Sequence, residues 1–467
     1  MAPMTAPADS PGLTTDLVRR ARALHGRLPD HVMSSARLHL LDALGVGTLG
    51  ARSGPLRGLD RVVTVAHTGG RSTVLGSSAT APASVAALVN GSYMHSLEFD
   101  DTHVASVMHG SATLAAAALA VAEEVGATGT AMLSAYALGW EAIIRMGLAS
   151  PGTLQARGFQ TTSAAGPFAA SLVSSLLHDD AEQVAVDALG IAGSMPGGTF
   201  AFLADGDTIK AGQPAWAAHS GLWAAELARA GMTGPSRVLE GDLGFFSLYA
   251  GDADAPARLA DELTTLGERW HLPDAAFKMI PCCHFIHPFV EALGLVMDDG
   301  VEAADIASIH CHVPRGALPI IADPWSGRQS PRTPHDARWS LPYVLAGRAV
   351  DGRVGLDLFS EPIGGERLEL SRRITHEVWD DSGFPARFPA RLRVTLTDGR
   401  SVDASVDDVL GGAGRPVPAG DVLDKARANL AAAGLADDRV DQVVAELIDA
   451  AAPDLARLGR ALGAAGG

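Results

Sequence analysis

SATLAAAALAVAEE at residues 111–124 and TGTAMLSAYALGWEAIIRMG at residues 128–147 decide the fold. Alanine loses little side-chain entropy in a helix, and both runs keep apolar residues at helical spacing. Gly126-Ala-Thr-Gly129 ends the first helix and starts the second. Alanine and leucine dominate the chain while aromatics are scarce, a balance that favours many closely packed helices over an aromatic-rich sheet sandwich. The same signals predict helices near 13–26, 31–50, 82–97, 164–177, 181–195 and 214–230. Residues 1–267 therefore read as one large all-helical domain. MAPMTAPADSPG at its start reads as a frayed tail.

The texture changes near residue 270. Segments 305–313 and 317–322 are rich in isoleucine and valine, and 391–397 and 401–406 alternate around Asp398-Gly399, a hairpin signal. Helices near 284–297 and 335–350 lie among these strands, so 268–410 is expected to be a smaller α+β lid domain. Helical periodicity returns over 419–464, and residues 411–467 are expected to pack back on the helical domain. The fold class is mainly α. A chain of 467 residues exceeds what one core usually supports, which agrees with two domains.

A formal net charge of −17 with no basic run argues against a nucleic-acid partner. No uninterrupted apolar stretch is long enough for a membrane span, and the N-terminus lacks a signal-peptide pattern, so a cytoplasmic protein is expected. Cys282, Cys283 and Cys311 are too few for a disulfide framework and too poorly spaced for an iron–sulfur cluster. Of 36 basic residues only Lys210, Lys278 and Lys425 are lysines. A lysine kept against that bias suggests a role for a compact ammonium that arginine cannot take. Lys210 and Lys278 become candidates, while Lys425, in a charged C-terminal helix, reads as a surface residue.

NGSYMHSLEFDDTH at residues 90–103 concentrates titratable groups at the end of an apolar helix. His95 and Glu98 would share a helical face, Asp100, Asp101, Thr102 and His103 would leave it, and His109 would open the next segment. Helix capping and core packing account for one or two of these seven. The remainder point to a catalytic cleft, because unpaired buried charge is costly. A divalent metal is the lesser reading, since the spacing matches no familiar zinc pattern. KMIPCCHFIH at 278–287 adds Lys278, with Cys282 and His284 read as packing residues. Of two glycine-rich loops, Gly231–Gly244 reads as a connector, whereas Pro196–Lys210 could line the cleft. Tyr343, in DARWSLPY at 336–343, is a candidate proton donor.

These landmarks, together with GFQTTSAAGPFAASL at 158–172, IKAGQPAWAAHSG at 209–221 and FKMIPCCHFIHPFVEAL at 277–293, resemble the MmgE/PrpD family. The resemblance implies a helical domain with an α+β lid, a homodimer, and cofactor-free chemistry on small carboxylic acids. It marks Glu98, Asp101, Thr102, His109, Lys210, Lys278, Cys283 and Tyr343 as site residues, and His103 falls within the same acidic motif. The chain departs from the family pattern at Glu98, where aspartate is common, at Gln160, where members often carry histidine, and at Ala211-Gly-Gln213-Pro, where members often read Leu-His-Pro-Gly after the lysine. Glutamine can hydrogen-bond a substrate but cannot transfer a proton at neutral pH.

What remains suffices for proton chemistry beside a carboxylate. His109 is the expected acid or base, Lys278 and Lys210 hold carboxylates and developing negative charge, and Asp101 orients a histidine. The expected activity is that of a lyase, a dehydratase or decarboxylase, on a di- or tricarboxylate, with no cofactor or metal. An epimerase or isomerase would use the same groups, and a degenerate binder of carboxylates or a protein partner stays a third reading.

Overall fold

The computed structural model describes residues 12–66, 69–360 and 362–463, so the tail expected over the first residues lies almost wholly outside it. Helices hold 57% of the residues and strands 9%, which makes the fold mainly α. Helix Gly110–Val125 is buried along nearly its whole length. It ends at Gly126, whose φ of 69° lets its N–H turn back to the Ala122 carbonyl. Helix Gly129–Ala149 then starts under a Thr128 cap that accepts from the Ala131 N–H. The packing is close because side chains are small: a Cβ added at Gly91 of helix Ala83–His95 would lie 2.5 Å from the Ala112 carbonyl oxygen.

Apolar side chains form two clusters. One runs from Leu17 to Ala275 and includes residues from Ala426 to Leu462, so the C-terminal helices Ala419–Ala432, Asp437–Val444 and Leu455–Leu462 pack with the helical body. The other runs from Ala276 to Val409 and includes Val104 and Val107. It covers one face of a four-stranded sheet in which Ile306–Pro314 is flanked by Ile374–Trp379, parallel, and Ala390–Leu396, antiparallel, with Ser401–Val406 beyond the latter. The Asp398-Gly399 turn joins the last two strands, with Gly399 at φ 89°.

Three details differ from the sequence expectations. Residues 317–322 carry no strand; Leu318–Ile321 is a single helical turn opened by Pro319, and the apolar run packs as a turn on the sheet cluster. Strand Ile374–Trp379 takes the vacant edge instead. Lys425 is no surface residue: it is 7% exposed, its Nζ pairs with Asp42 at 2.7 Å and donates to the Phe99 carbonyl at 2.8 Å. Its ammonium also sits 4.0 Å from the Phe99 ring centre. The charged character of this helix misled because one lysine turns inward.

Candidate active site

Backbone pairing assembles the site. Thr102 and Ala276 exchange N–H···O bonds of 2.9 and 2.8 Å, which fixes the acidic loop against the segment entering Lys278. From the sheet half, the Arg338 guanidinium donates to the carbonyls of Leu97 (2.7 Å) and Pro281 (2.6 Å). From the C-terminal helix, Lys425 holds Phe99. Between these clamps Glu98 adopts φ 52°, a left-handed conformation costly for a residue with a Cβ. The strain aims its carboxylate at the Lys210 ammonium, with which it makes a short ion pair.

The buried charges form one cluster. Lys278 Nζ lies 3.6 Å from Glu98 and 3.8 Å from Asp100, with no hydrogen-bond partner among the described residues. Asp100 binds His95 Nδ1 at 2.7 Å and lies 3.8 Å from His109 Nδ1. Burial pushes the Glu98 carboxyl up, but Lys210, Lys278 and His95 together hold it well below its ordinary value. Asp100 is also held low against burial, by His95 and Lys278. Lys278 is held above the ordinary lysine value, because Glu98 and Asp100 outweigh its burial. His109 is driven well below 6.5 by burial and then by Lys278, so its ring is neutral at rest. Its Nδ1 lies 3.1 Å from the Asp101 carbonyl, which can only accept, and 2.9 Å from Thr102 Oγ1. The proton of the neutral ring therefore sits on Nδ1, leaving the Nε2 lone pair for the cavity.

Glu98, Thr102, His109, Gln160 and Lys210 meet Cys283, His284, Phe285 and Trp339 around a cavity of about 50 Å³ at the seam between the two apolar clusters. Phe200, Phe202 and Leu203, from the loop before Lys210, close one side as the glycine-rich sequence suggested. Lys210 also faces the Trp339 ring at 5.3 Å. Both ring nitrogens of His284 are buried without a hydrogen-bond partner among the described residues, and burial holds this histidine neutral. His284 thus walls the cavity, whereas its sequence context suggested only packing. The signal was its place in the Lys278 segment; its apolar neighbours hid it. A larger surface cleft of about 780 Å³, lined by Thr73, Glu123 and Arg460, holds no such acid/base set.

Of the other expected site residues, Gln160 and Cys283 line the cavity, while Lys278, Asp101, His103, Gln213 and Tyr343 do not. Lys278 is beneath the wall, contacting Glu98, and does not line the cavity. Asp101 orients a histidine, but it is His39, at 2.7 Å, with Ser111 on the same carboxylate oxygen. His103 pairs with Ser106 at 2.8 Å, away from the cavity. Gln160 caps helix Thr161–Leu177 through the Ser163 N–H and keeps a face on the cavity. Gln213 donates to the Thr199 carbonyl at 2.9 Å and braces the loop. The Cys283 thiol is pushed up to about 11 by burial and by Glu98, which keeps it protonated. The Tyr343 phenol faces Arg367 and Asp351 on the far side of its helix, outside the cavity.

His95, Asp100 and His109 have ligand atoms within 4.8 Å of one another, so a divalent cation is geometrically possible. The Lys278 ammonium, 3.8 Å from Asp100, already supplies positive charge there and opposes a second cation.

Lys425→Met is expected to cost about 3–5 kcal/mol, the usual result of stranding one partner of a buried ion pair. Burial already raises Asp42 to about 6 against the pull of Lys425. Without that ammonium Asp42 takes a proton more readily, so the loss should be largest above pH 6 and shrink below it. Urea unfolding at pH 5 and pH 8 measures this; an equal loss at both would contradict it.

Comparison with known proteins matches residues 20–258 to the MmgE/PrpD N-terminal domain and residues 280–450 to the MmgE/PrpD C-terminal domain. The chain is 27% identical over 453 residues to a cis-aconitate decarboxylase of Aspergillus terreus, covering 92% of each chain. It is 27% identical over 437 residues to the cis-aconitate decarboxylase of Homo sapiens, covering 91% of this chain and 89% of that one. A cis-aconitate decarboxylase-like protein of Aspergillus oryzae is 28% identical over 348 residues, 71% of this chain and 72% of the relative.

Proposed function

The chain belongs to the MmgE/PrpD family, and we propose that it is a cofactor-independent lyase that decarboxylates a small di- or tricarboxylic acid in the cavity walled by Glu98, His109 and Lys210. One observation carries this reading: a neutral histidine with a free ring nitrogen shares a buried cluster with two ammoniums and two carboxylates. The names of the relatives point the same way.

Lys210 gives part of its ammonium to Glu98 and has further N–H groups to anchor a substrate carboxylate. An anion in the cavity raises the affinity of His109 for a proton, and the ring takes one from solvent at Nε2. Decarboxylation breaks the bond to one carboxyl carbon, which leaves as CO2. The electron pair left behind spreads onto the adjoining unsaturated or carboxylate group, held by nearby positive charge. His109 Nε2–H then protonates the carbon, so each turnover consumes one proton. Lys278, below the wall, keeps Glu98 and Asp100 ionised. A cavity of about 50 Å³ has room for a few waters and not for a tricarboxylic acid. The sheet-bearing half therefore acts as a lid that opens for entry.

CO2 release from a panel of unsaturated di- and tricarboxylates tests this reading. Release supports it, and loss of water in its place would make the protein a dehydratase. A second reading, an isomerase or epimerase, is favoured by the unprotonated Nε2 at rest, and would give double-bond migration or inversion without CO2. No change in any acid would overturn enzyme function and leave a binder.

The protein is further proposed to act in the cytoplasm, in keeping with its three unpaired cysteines, as a homodimer. No helix among the described residues is long and apolar enough to cross a membrane. Ile209, Trp216 and Trp223 repeat every seventh residue on helix Ile209–Arg229 and are 60%, 54% and 48% exposed, a stripe suited to a second copy. The double variant Trp216→Glu, Trp223→Glu is expected to run as a monomer by light scattering. An unchanged dimer would place the interface elsewhere.

A further inference from the structure

The outer face of the four-stranded sheet carries a second cluster of ligating side chains, remote from the cavity in sequence and in function. His310 and His312 are two residues apart on strand Ile306–Pro314, so both project from one face. Glu377 stands directly opposite His312 on the neighbouring parallel strand. Its carboxylate lies 2.7 Å from His312 Nδ1 and 3.6 Å from His310 Nε2. One ligand atom from each of the three falls within 4.8 Å of the others.

We propose that His310, His312 and Glu377 form a binding site for a divalent transition metal of the zinc class. Two imidazoles and a carboxylate are the donors such an ion prefers, and three protein ligands leave further positions open to solvent. The first support is orientation. Thr375 Oγ1 lies 2.8 Å from His310 Nδ1 and can accept its N–H, which would leave the Nε2 lone pair for an ion held between it and Glu377. The second is charge. Arg393, opposite His310 on the other neighbouring strand, is held bidentately by Asp403 at 2.7 and 3.0 Å, and Arg391 lies over the Trp379 ring at 4.6 Å. The Arg393 charge is thereby offset by a carboxylate, and the Arg391 guanidinium is engaged by a ring. The third is adaptability: the three side chains are partly exposed, so small rotations can close the ligand spacing to about 3.3 Å, as metal–ligand bonds near 2.0–2.1 Å require. Nothing in the proposed lyase chemistry uses these residues.

The test is titration of the chelator-treated full-length protein with Zn2+ in competition with a chromophoric chelator. Wild type should take up one equivalent saturably at this site. His312→Ala and Glu377→Gln should each lose that equivalent while keeping their circular dichroism spectrum and thermal midpoint. Thr375→Ala, which removes only the orienting partner, should weaken uptake by about tenfold or more. Absence of saturable uptake in wild type would overturn the proposal. So would uptake unchanged in both ligand variants, which would place the ion elsewhere.

Discussion

His109→Asn is expected to lower kcat by about 10²–10⁴, the usual contribution of a positioned general acid or base. The amide keeps a donor that can reach the Asp101 carbonyl, so the loop should keep its shape. What it loses is the nitrogen that accepts and returns a proton. The neutral state of the resting ring gives this variant a second readout. Because burial and Lys278 hold His109 well below 6.5, the free enzyme carries no proton on Nε2 at pH 7. An anionic substrate analogue must then draw one proton from solution as it binds, and its apparent affinity should fall as pH rises. Calorimetry in buffers of different ionisation enthalpy should show that uptake in wild type and not in His109→Asn. A variant with unchanged kcat and raised KM would reduce His109 to an anchor.

Lys278→Met should carry the second large effect, on activity and stability together. The ammonium is fully buried and faces Glu98 and Asp100 at 3.6 and 3.8 Å. Removing it strands carboxylate charge in a low-dielectric interior, at a cost of about 3–5 kcal/mol. It also withdraws positive charge from a reaction that develops negative charge, for which a loss of about 10²–10³ in kcat is typical. The pH dependence has a definite sign. In wild type both carboxyls are held low, so their contribution to stability is present above ordinary carboxylate values and is lost as pH falls through the depressed ones. In the variant they accept protons earlier and shed the unpaired charge. The gap in thermal midpoint should therefore be widest near pH 7 and narrow toward pH 4. A constant gap would mean that Lys278 acts by packing alone.

Periodicity was enough to place the main helices, because alanine-rich runs broken by Gly126 and capped by Thr128 leave few alternatives. The hairpin at Asp398-Gly399 was equally plain. Short apolar runs were not: 317–322 and 374–379 have similar strand character, and only tertiary packing made the first a turn and the second a strand. At the site, residue type identified Glu98, His109 and Lys210, which do share one cavity. Direction was invisible. Asp100 and Asp101 are adjacent in sequence, yet Asp100 turns to His95 and the buried charge cluster while Asp101 turns to His39 and Ser111. The scarcity of lysine pointed to buried function at Lys210 and Lys278. The same bias applied at Lys425, whose polar neighbours concealed a side chain that reaches the acidic loop from the C-terminal helix.

The most direct measurement is turnover in heavy water with NMR of the product. With an unsaturated tricarboxylate, wild type should release CO2 and place one deuterium on a carbon of the conjugated system over which the released electron pair spreads. His109→Asn should give neither product nor deuterium at a comparable rate. Deuterated product formed by His109→Asn at the wild-type rate, or no reaction by wild type with any acid in the panel, would contradict an acid/base cleft centred on His109.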